Sequence, residues 1–278
     1  MLATRRLGRV STADIAELLA LYDEQLRGRL PDRLPTGVRV ERDGPLLRFH
    51  GLRFGGFIEY RDLDGLEGSA LDGLITRQVS VFAEAGEQFE WKLHAHDLPA
   101  DLPDRLRAAG FVPEDTETVV IAPVAAVAGE PRVPEGVALR EVSSRVDLER
   151  IAALHGAVWQ REDLVLADFL EAEREVDPDA LVIVAAEAGD TIVSAAWVRF
   201  APDTDFATFW GGATLEAWRG RGIYRALVAY RARLAERRGY RYLEVDALDD
   251  SRPILQRLGF VAVTTTTPYI WQPDTEAA

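Results

Sequence analysis

The sequence predicts an α/β protein made of two similar units, each a central mixed β-sheet flanked by helices. Three observations predict it. In each half, strand candidates pair first through hairpin signals and then alternate with amphipathic helices, which is the order of a mixed sheet and not of an all-parallel one. A short helix closed by Gly-Phe occurs twice, as Arg105-Leu106-Arg107-Ala108-Ala109-Gly110-Phe111-Val112 and as Ile254-Leu255-Gln256-Arg257-Leu258-Gly259-Phe260-Val261. Each follows a strand ending in acidic residues and leads into a Thr-rich strand, so an internal repeat is the economical reading. Between the halves, residues 122–134 (APVAAVAGEPRVP) hold three prolines and a glycine and no amphipathic period, the composition of a linker. The expected division is a first domain at 1–125, a linker at 126–134 and a second domain at 135–278.

The elements follow in order. Ser11 with Asp14 three residues on reads as a helix start, and Ile15, Leu18, Leu19, Tyr22 and Leu26 keep a helical period until Pro31 and Pro35. Strand candidates lie at 38–42, 46–50 and 56–60, with Asp43-Gly44 as a hairpin signal between the first two. A helix over 69–85, a strand at 89–95, a short helix at 102–109 closed by Gly110 and a β-branched strand at 117–121 complete the first half. The second half opens with a strand at 137–142 and helices at 147–159 and 164–176. Strands at 181–187 and 192–200 flank Gly189-Asp190 as a hairpin. A strand at 208–215, a long helix at 223–238, a strand at 242–247, a short helix at 253–258 and a strand at 261–271 finish the chain.

Composition narrows the class. The chain has 278 residues, 47% hydrophobic and 28% charged, enough apolar material for globular cores. A net charge of −14 argues against general nucleic-acid binding and against docking on acidic membranes. There is no cysteine, so disulfides, thiolate catalysis and cysteine-bound zinc are excluded. His50, His94, His96 and His155 form no HExxH pattern, and no metal is expected. No apolar run approaches the roughly 18 residues of a membrane span, and the start (Arg5, Arg6, Arg9, then an amphipathic stretch) does not read as a signal peptide, so a cytoplasmic protein is expected. A single lysine, Lys92, among 32 basic residues suggests a GC-rich bacterial genome.

The stretch that carries chemistry is Trp218-Arg219-Gly220-Arg221-Gly222-Ile223-Tyr224-Arg225. A strand runs into it and a long helix runs out. Two glycines allow a tight turn and close approach of a ligand to the main chain. The amides at the helix start lack intrahelical partners, the helix dipole is positive there, and three arginines add charge. Such a junction suits a phosphate or pyrophosphate.

Arg219-Gly220-Arg221-Gly222-Ile223-Tyr224 resembles the Gln/Arg-x-x-Gly-x-Gly/Ala signature of the GNAT superfamily of N-acetyltransferases, with Tyr224 in place of the small last residue. The element order from 137 to 271 fits that family, and the whole chain resembles a tandem GNAT arrangement with a degenerate first copy. The resemblance implies an acetyl-CoA-dependent N-acetyltransferase with its active site in the second domain, transferring acetyl directly to an amine of a small molecule or protein. It implies that the backbone of Ala213, Thr214 and Leu215 pairs with the pantetheine arm of acetyl-CoA. It also implies that Arg219 and the amides of Gly220, Arg221, Gly222, Ile223, Tyr224 and Arg225 hold the pyrophosphate. A homodimer is one assembly left open. Two departures bear on catalysis. The family's Tyr four residues before the Gly-Phe stands as Leu255, and the strand at 208–215 has no carboxylate. Tyr224 is then the nearest candidate acid, and Glu244 and Asp246, sharing one face of the next strand, are candidate bases. A CoA-binding pseudoenzyme and a phosphate-ligand protein of another class are the alternatives.

The matching turn of the first half, Tyr60-Arg61-Asp62-Leu63-Asp64-Gly65-Leu66-Glu67-Gly68-Ser69, has acidic residues where the second half has arginines. These repel a pyrophosphate and compete for the same amides, so the first half is not expected to bind CoA. Arg231, Arg233, Arg237 and Arg238 read as a solvated helix face. His155 and Trp159 read as core or as the wall of an acceptor pocket, and Gly211-Gly212 as a packing pair or a bulge.

Overall fold

The computed structural model describes residues 11–53, 55–160 and 165–273. Its elements are helix α1 (Thr12–Gln25), strands β1 (Arg39–Asp43), β2 (Leu46–Leu52) and β3 (Gly55–Glu59), α2 (Gly68–Ala85), β4 (Phe89–His94), α3 (Leu102–Ala108), β5 (Val112–Pro113) and β6 (Glu117–Pro123). There follow α4 (Val124–Val127), β7 (Ala138–Val142), α5 (Arg145–Trp159), α6 (Leu166–Val176), β8 (Leu181–Ala188), β9 (Thr191–Phe200) and β10 (Phe206–Thr214). A 3₁₀ turn (Glu216–Trp218), α7 (Ile223–Arg237), β11 (Tyr242–Ala247), α8 (Arg252–Arg257) and β12 (Val261–Trp271) complete the chain. The mixed sheets flanked by helices are those expected. The predicted start of α6 at Leu164 lies outside the described residues, as do Arg5, Arg6 and Arg9.

The chain divides into two compact units, one of residues up to 21 with 118–263, the other of 22–117 with the residues from 264 on. The boundary read at 126–134 divides the chain along its length, whereas the compact units divide it in space and assign residues 118–134 and the last strand differently. The reason is visible at residues 118–124. Strand β6 pairs antiparallel with β11 from Thr118↔Ala247 to Pro123↔Tyr242, and Val124 donates its amide to Arg241 O. Helix α4 then buries Val124 and Val127 beside α7 in the same core.

In the unit of 118–263 the strands run β6-β11-β10-β9-β8-β7. One face, covered by α4, α7 and α8, buries Val184, Val198, Phe209, Leu227, Leu243, Val245, Leu255 and Phe260. The other face, covered by α5 and α6, buries Leu148, Ile151, Leu170, Ile183, Ala195, Trp197 and Ala213. Ser144 caps α5 by accepting the amide of Asp147 at 3.2 Å, and α7 carries Ile223, Leu227, Val228 and Leu234 on its buried side. A fully buried leucine such as Leu227 contributes about 1.5–3 kcal/mol. The unit of 22–117 orders β1-β2-β3-β4 and then residues 264–271 of β12, around a core of Leu71, Phe82, Phe89, Trp91, Leu106 and Tyr269.

Candidate donor site at the fork between two parallel strands

Strands β10 and β11 are parallel but pair over three residues only, Phe206↔Tyr242, Ala207↔Leu243 and Thr208↔Glu244, although both run on. The cause lies in β10. Its antiparallel register with β9 passes from Trp210↔Trp197 to Ala213↔Ala195, so Gly211 and Gly212 together oppose one residue, a bulge. Gly211 has φ +62°, and a Cβ there would sit 1.9 Å from Cζ3 of Trp197. Only glycine fits. The strands therefore part after Thr208 and Glu244, and the edge of β10 beyond them faces a fork.

Of the three backbone positions expected to meet an extended ligand, two are committed to β9. Leu215 donates its amide to Val193 O at 3.0 Å, and Ala213 O accepts Ser194 Oγ at 2.7 Å. Thr214 lies between them, and its carbonyl takes Arg219 Nε at 3.2 Å. Backbone groups alternate in direction along an antiparallel ladder, so the Thr214 amide is the one turned to the fork.

The turn at the mouth of the fork has the conformation its glycines imply. Gly220 has φ +75° and Gly222 φ +88°, and Gly222 caps α7. A Cβ at Gly220 would meet nothing within 4 Å, so the left-handed backbone and not space requires glycine there. Ala226 makes the first helical hydrogen bond, to Gly222 O at 3.0 Å. The amides of Ile223, Tyr224 and Arg225 thus precede the ladder. Arg219, Arg221 and Arg225 are exposed, and among the described residues none of them is in an ion pair. Among the described residues many other arginines are in ion pairs, for example Arg140 with Asp147 at 2.9 Å and Arg105 with Asp72 at 2.6 Å. Arg221 stacks over Trp218 at 4.6 Å.

The three candidate catalytic side chains do not come together on one side. Tyr224 packs with the core on the α7 face, its Cε2 2.9 Å from where a Cβ of Gly212 would lie. Burial raises its phenol above the ordinary tyrosine value, opposed by the positive charge of Arg231. Leu243, Val245 and Ala247 also belong to that face, so alternation puts Glu244 and Asp246 on the opposite one. Glu244 is buried and level with Thr208, and Asp246 stands two residues further into the fork. On that same side, Arg199 lies 4.7 Å over the Trp210 ring and is held to Glu173 of α6 by a 2.8 Å contact. His155 of α5 reaches the bulge, with Nε2 3.1 Å from Gly211 O. The fork is thus the passage between a phenol on one face and two carboxylates on the other.

One residue was misread from the sequence. Arg231 is not on a solvated helix face; it is 1% exposed. The signal was present, because 223, 227 and 231 follow the i, i+4, i+8 spacing of the buried side. Its Nε donates to Leu227 O at 3.2 Å, its Nη1 to Trp197 O at 2.9 Å, and its guanidinium lies 4.1 Å over the Phe209 ring. Burial pulls it down to about 10.

The equivalent places in the other unit are built differently. Strands β3 and β4 also pair in parallel over three residues, Gly56↔Phe89 to Ile58↔Trp91. Past that point Gly28 donates its amide to Glu59 Oε1 at 2.8 Å and packs against Arg61, where a Cβ would meet the Arg61 amide nitrogen at 3.1 Å. In the acidic turn, Asp62 accepts the amide of Asp64 at 3.0 Å. His94 and His96 belong to a hydrogen-bonded network: His94 Nε2 is 2.9 Å from Tyr22 Oη, and His96 Nδ1 is 2.9 Å from Thr264 Oγ1. Among the described residues no group of three or more His, Asp or Glu side chains has the arrangement of a metal site, and no helix is long and apolar enough to cross a membrane.

The model of the acetyltransferase (GNAT) family matches residues 148–260, from α5 to the end of α8. No curated protein matches the chain. A GCN5-related N-acetyltransferase from Kribbella flavida superposes with a TM-score of 0.65 at 17% identity, covering 98% of both chains. One from Sphaerobacter thermophilus gives 0.61 at 15% identity, covering 98% of this chain and 97% of its own. A tandem GNAT protein from the clavulanic acid biosynthesis pathway gives 0.60 at 13% identity, covering 96% and 97%. At these identities the likeness is one of fold.

Proposed function

We propose, from the match of residues 148–260 to the GNAT acetyltransferase family model, that the protein is an acetyl-CoA-dependent N-acetyltransferase whose donor site is the fork between β10 and β11 with the turn at 219–225. The observation that carries this reading is the conjunction of three unpaired arginines, the amides ahead of α7 and an open strand edge leading inward from them. The turn suits a pyrophosphate and the strand edge suits an extended arm with amide groups.

The chemistry asks for a neutral amine, an aligned thioester and a stabilised leaving group. Glu244 and Asp246, on the face of α5 and α6, are placed to take a proton from an ammonium directly or through water. The amine nitrogen then forms the C–N bond to the acetyl carbonyl and gives up its second proton to water or the remaining carboxylate, the C–S bond breaks, and its electron pair leaves on sulfur. Tyr224, across the fork, is the hydroxyl placed to return a proton to that sulfur. The acceptor side is bounded by Trp210, Arg199 and Glu173, which suits an amine carried on a polar or aromatic body. In this reading the unit of 22–117 binds no CoA, since its own residues 26–29 pack where its sheet parts.

A second reading, a CoA-binding protein without turnover, is favoured by Leu255, which is fully buried and supplies no acid. Thiol release from acetyl-CoA across a panel of amines separates the two. Turnover with any amine supports the enzyme; saturable binding without turnover leaves the binding protein. Failure of acetyl-CoA to raise the melting temperature would overturn both.

A further inference from the structure

Arg231 is a buried cation with no carboxylate against it. Its contacts are two carbonyl oxygens, Leu227 O and Trp197 O, and the Phe209 ring. The ionisable group that acts on it is the hydroxyl of Tyr224. Burying a guanidinium without a counter-charge is costly, and carboxylates are abundant in this chain, so the vacancy has to be explained by what the charge faces.

Its position answers that. Phe209, the residue it covers, is the first beyond the last β10–β11 pair, so the guanidinium sits at the root of the fork. Its hydrogen bond to Leu227 O, four residues back, shows that the side chain runs toward the N-terminus of α7 and hence toward Tyr224 on the same helix face. The residues of β10 and β11 on this side, Ala207, Phe209, Leu243, Val245 and Ala247, are all apolar, while Glu244 and Asp246 belong to the opposite face. Nothing charged therefore intervenes on this side between Arg231 and whatever enters the fork.

Resting on the donor-site reading above, we propose that Arg231 is a positioning residue of the reaction: a fixed positive charge at the root of the fork that favours negative charge on the donor sulfur and on the Tyr224 hydroxyl beside it. As the C–S bond breaks, the electron pair arriving on sulfur is stabilised before the phenol delivers its proton. The charge is preorganised because two backbone carbonyls hold it.

The test needs no acceptor. CoA is titrated by the ultraviolet absorbance of its thiolate, free and bound to the full-length protein, with wild type, Arg231→Gln and Arg231→Lys. In the wild type the acid dissociation constant of the bound thiol should exceed that of free CoA about tenfold or more, the effect of one cation within roughly 6 Å. Arg231→Gln, which keeps donors for the carbonyls but not the charge, should return it to the free value while CoA affinity stays within a few-fold. Arg231→Lys should keep most of the acidification. A wild-type bound thiol that titrates like free CoA overturns the proposal, whether or not the variants fold, and so does acidification that survives Arg231→Gln. Absence of CoA binding in the wild type overturns the donor-site reading itself, a different result from binding without acidification.

Discussion

His155 Nε2 lies 3.1 Å from the carbonyl oxygen of Gly211, so α5 holds the bulge of β10 from the side on which an acceptor would enter. The ring also packs on Trp197 at a centroid distance of 5.4 Å, the same tryptophan whose indole leaves no room for a side chain at 211. Replacement of His155 by Phe keeps the ring contact and removes the donor. We expect a loss of about 1–3 kcal/mol in urea denaturation, the cost of stranding a buried carbonyl. Donor turnover should fall more than CoA affinity, since the bulge, not the turn at 219–225, is disturbed. Unchanged stability would show that Gly211 O finds another donor.

Reversal of charge at the turn tests the pyrophosphate assignment. Arg221→Glu should weaken CoA binding at least tenfold, about 1.4 kcal/mol. The wild-type affinity should fall as salt is raised, because the three arginines are exposed. The melting temperature without ligand should stay put, since Arg221 makes no ion pair among the described residues and stacks only on Trp218. Calorimetry at two ionic strengths decides it.

One CoA per chain is the expected stoichiometry, and Asp64→Arg should leave it so. Asp64 has φ +52° in the acidic turn, and its amide is already taken by Asp62. Removing one acidic residue does not free the edge against which Gly28 packs. A second binding event by isothermal calorimetry would show that acidity alone closes this unit.

In the unit of 22–117 two buried groups make opposing contributions to acid sensitivity, His94 and Glu59, whose carboxyl burial raises to about 7. Burial, aided by Arg27, Lys92 and His96, pushes His94 down from the ordinary histidine value of 6.5 to about 2. The folded state therefore keeps His94 neutral while the unfolded chain takes up a proton below pH 6.5. For this one group the unfolded state binds more protons, which lowers stability as pH drops from about 6.5 toward 4 by up to ~1.4 kcal/mol per pH unit, while Glu59, protonated first in the folded state, raises it between about 7 and 4.5. His94→Gln should remove the destabilising contribution, so that the variant gains stability relative to the wild type at pH 5 compared with pH 7 in denaturation curves. An equal slope in the variant would assign it elsewhere.

What could be read in the sequence was whatever a few consecutive residues decide. Gly220 and Gly222 announced a tight turn, Ser11 with Asp14 a helix start, Gly211-Gly212 a bulge or a packing pair, and the arginines of 219–225 a turn suited to an anion, because each depends on local dihedral freedom or on groups within one turn of helix. Arg231 escaped for the opposite reason. Its residue type argued for solvent and its spacing for burial, and only the packing of α7 on the sheet decided between them.

Strand pairing was likewise undetermined by neighbours in the chain. Residues 117–121 read as the last strand of the first half, yet 118–123 pair with β11, which lies more than a hundred residues away. Likewise Tyr224, Glu244 and Asp246 are polar residues near one another in any reading of the sequence. That the phenol stands on one face of the sheet and the carboxylates on the other follows from where the β10–β11 pairing stops. The sequence by itself determined the mixed α/β plan and the local conformation of the turn, through local backbone preference and side-chain periodicity. Only the tertiary structure decided which strand edge is open and which buried charge faces it, because both are set by contacts between distant segments.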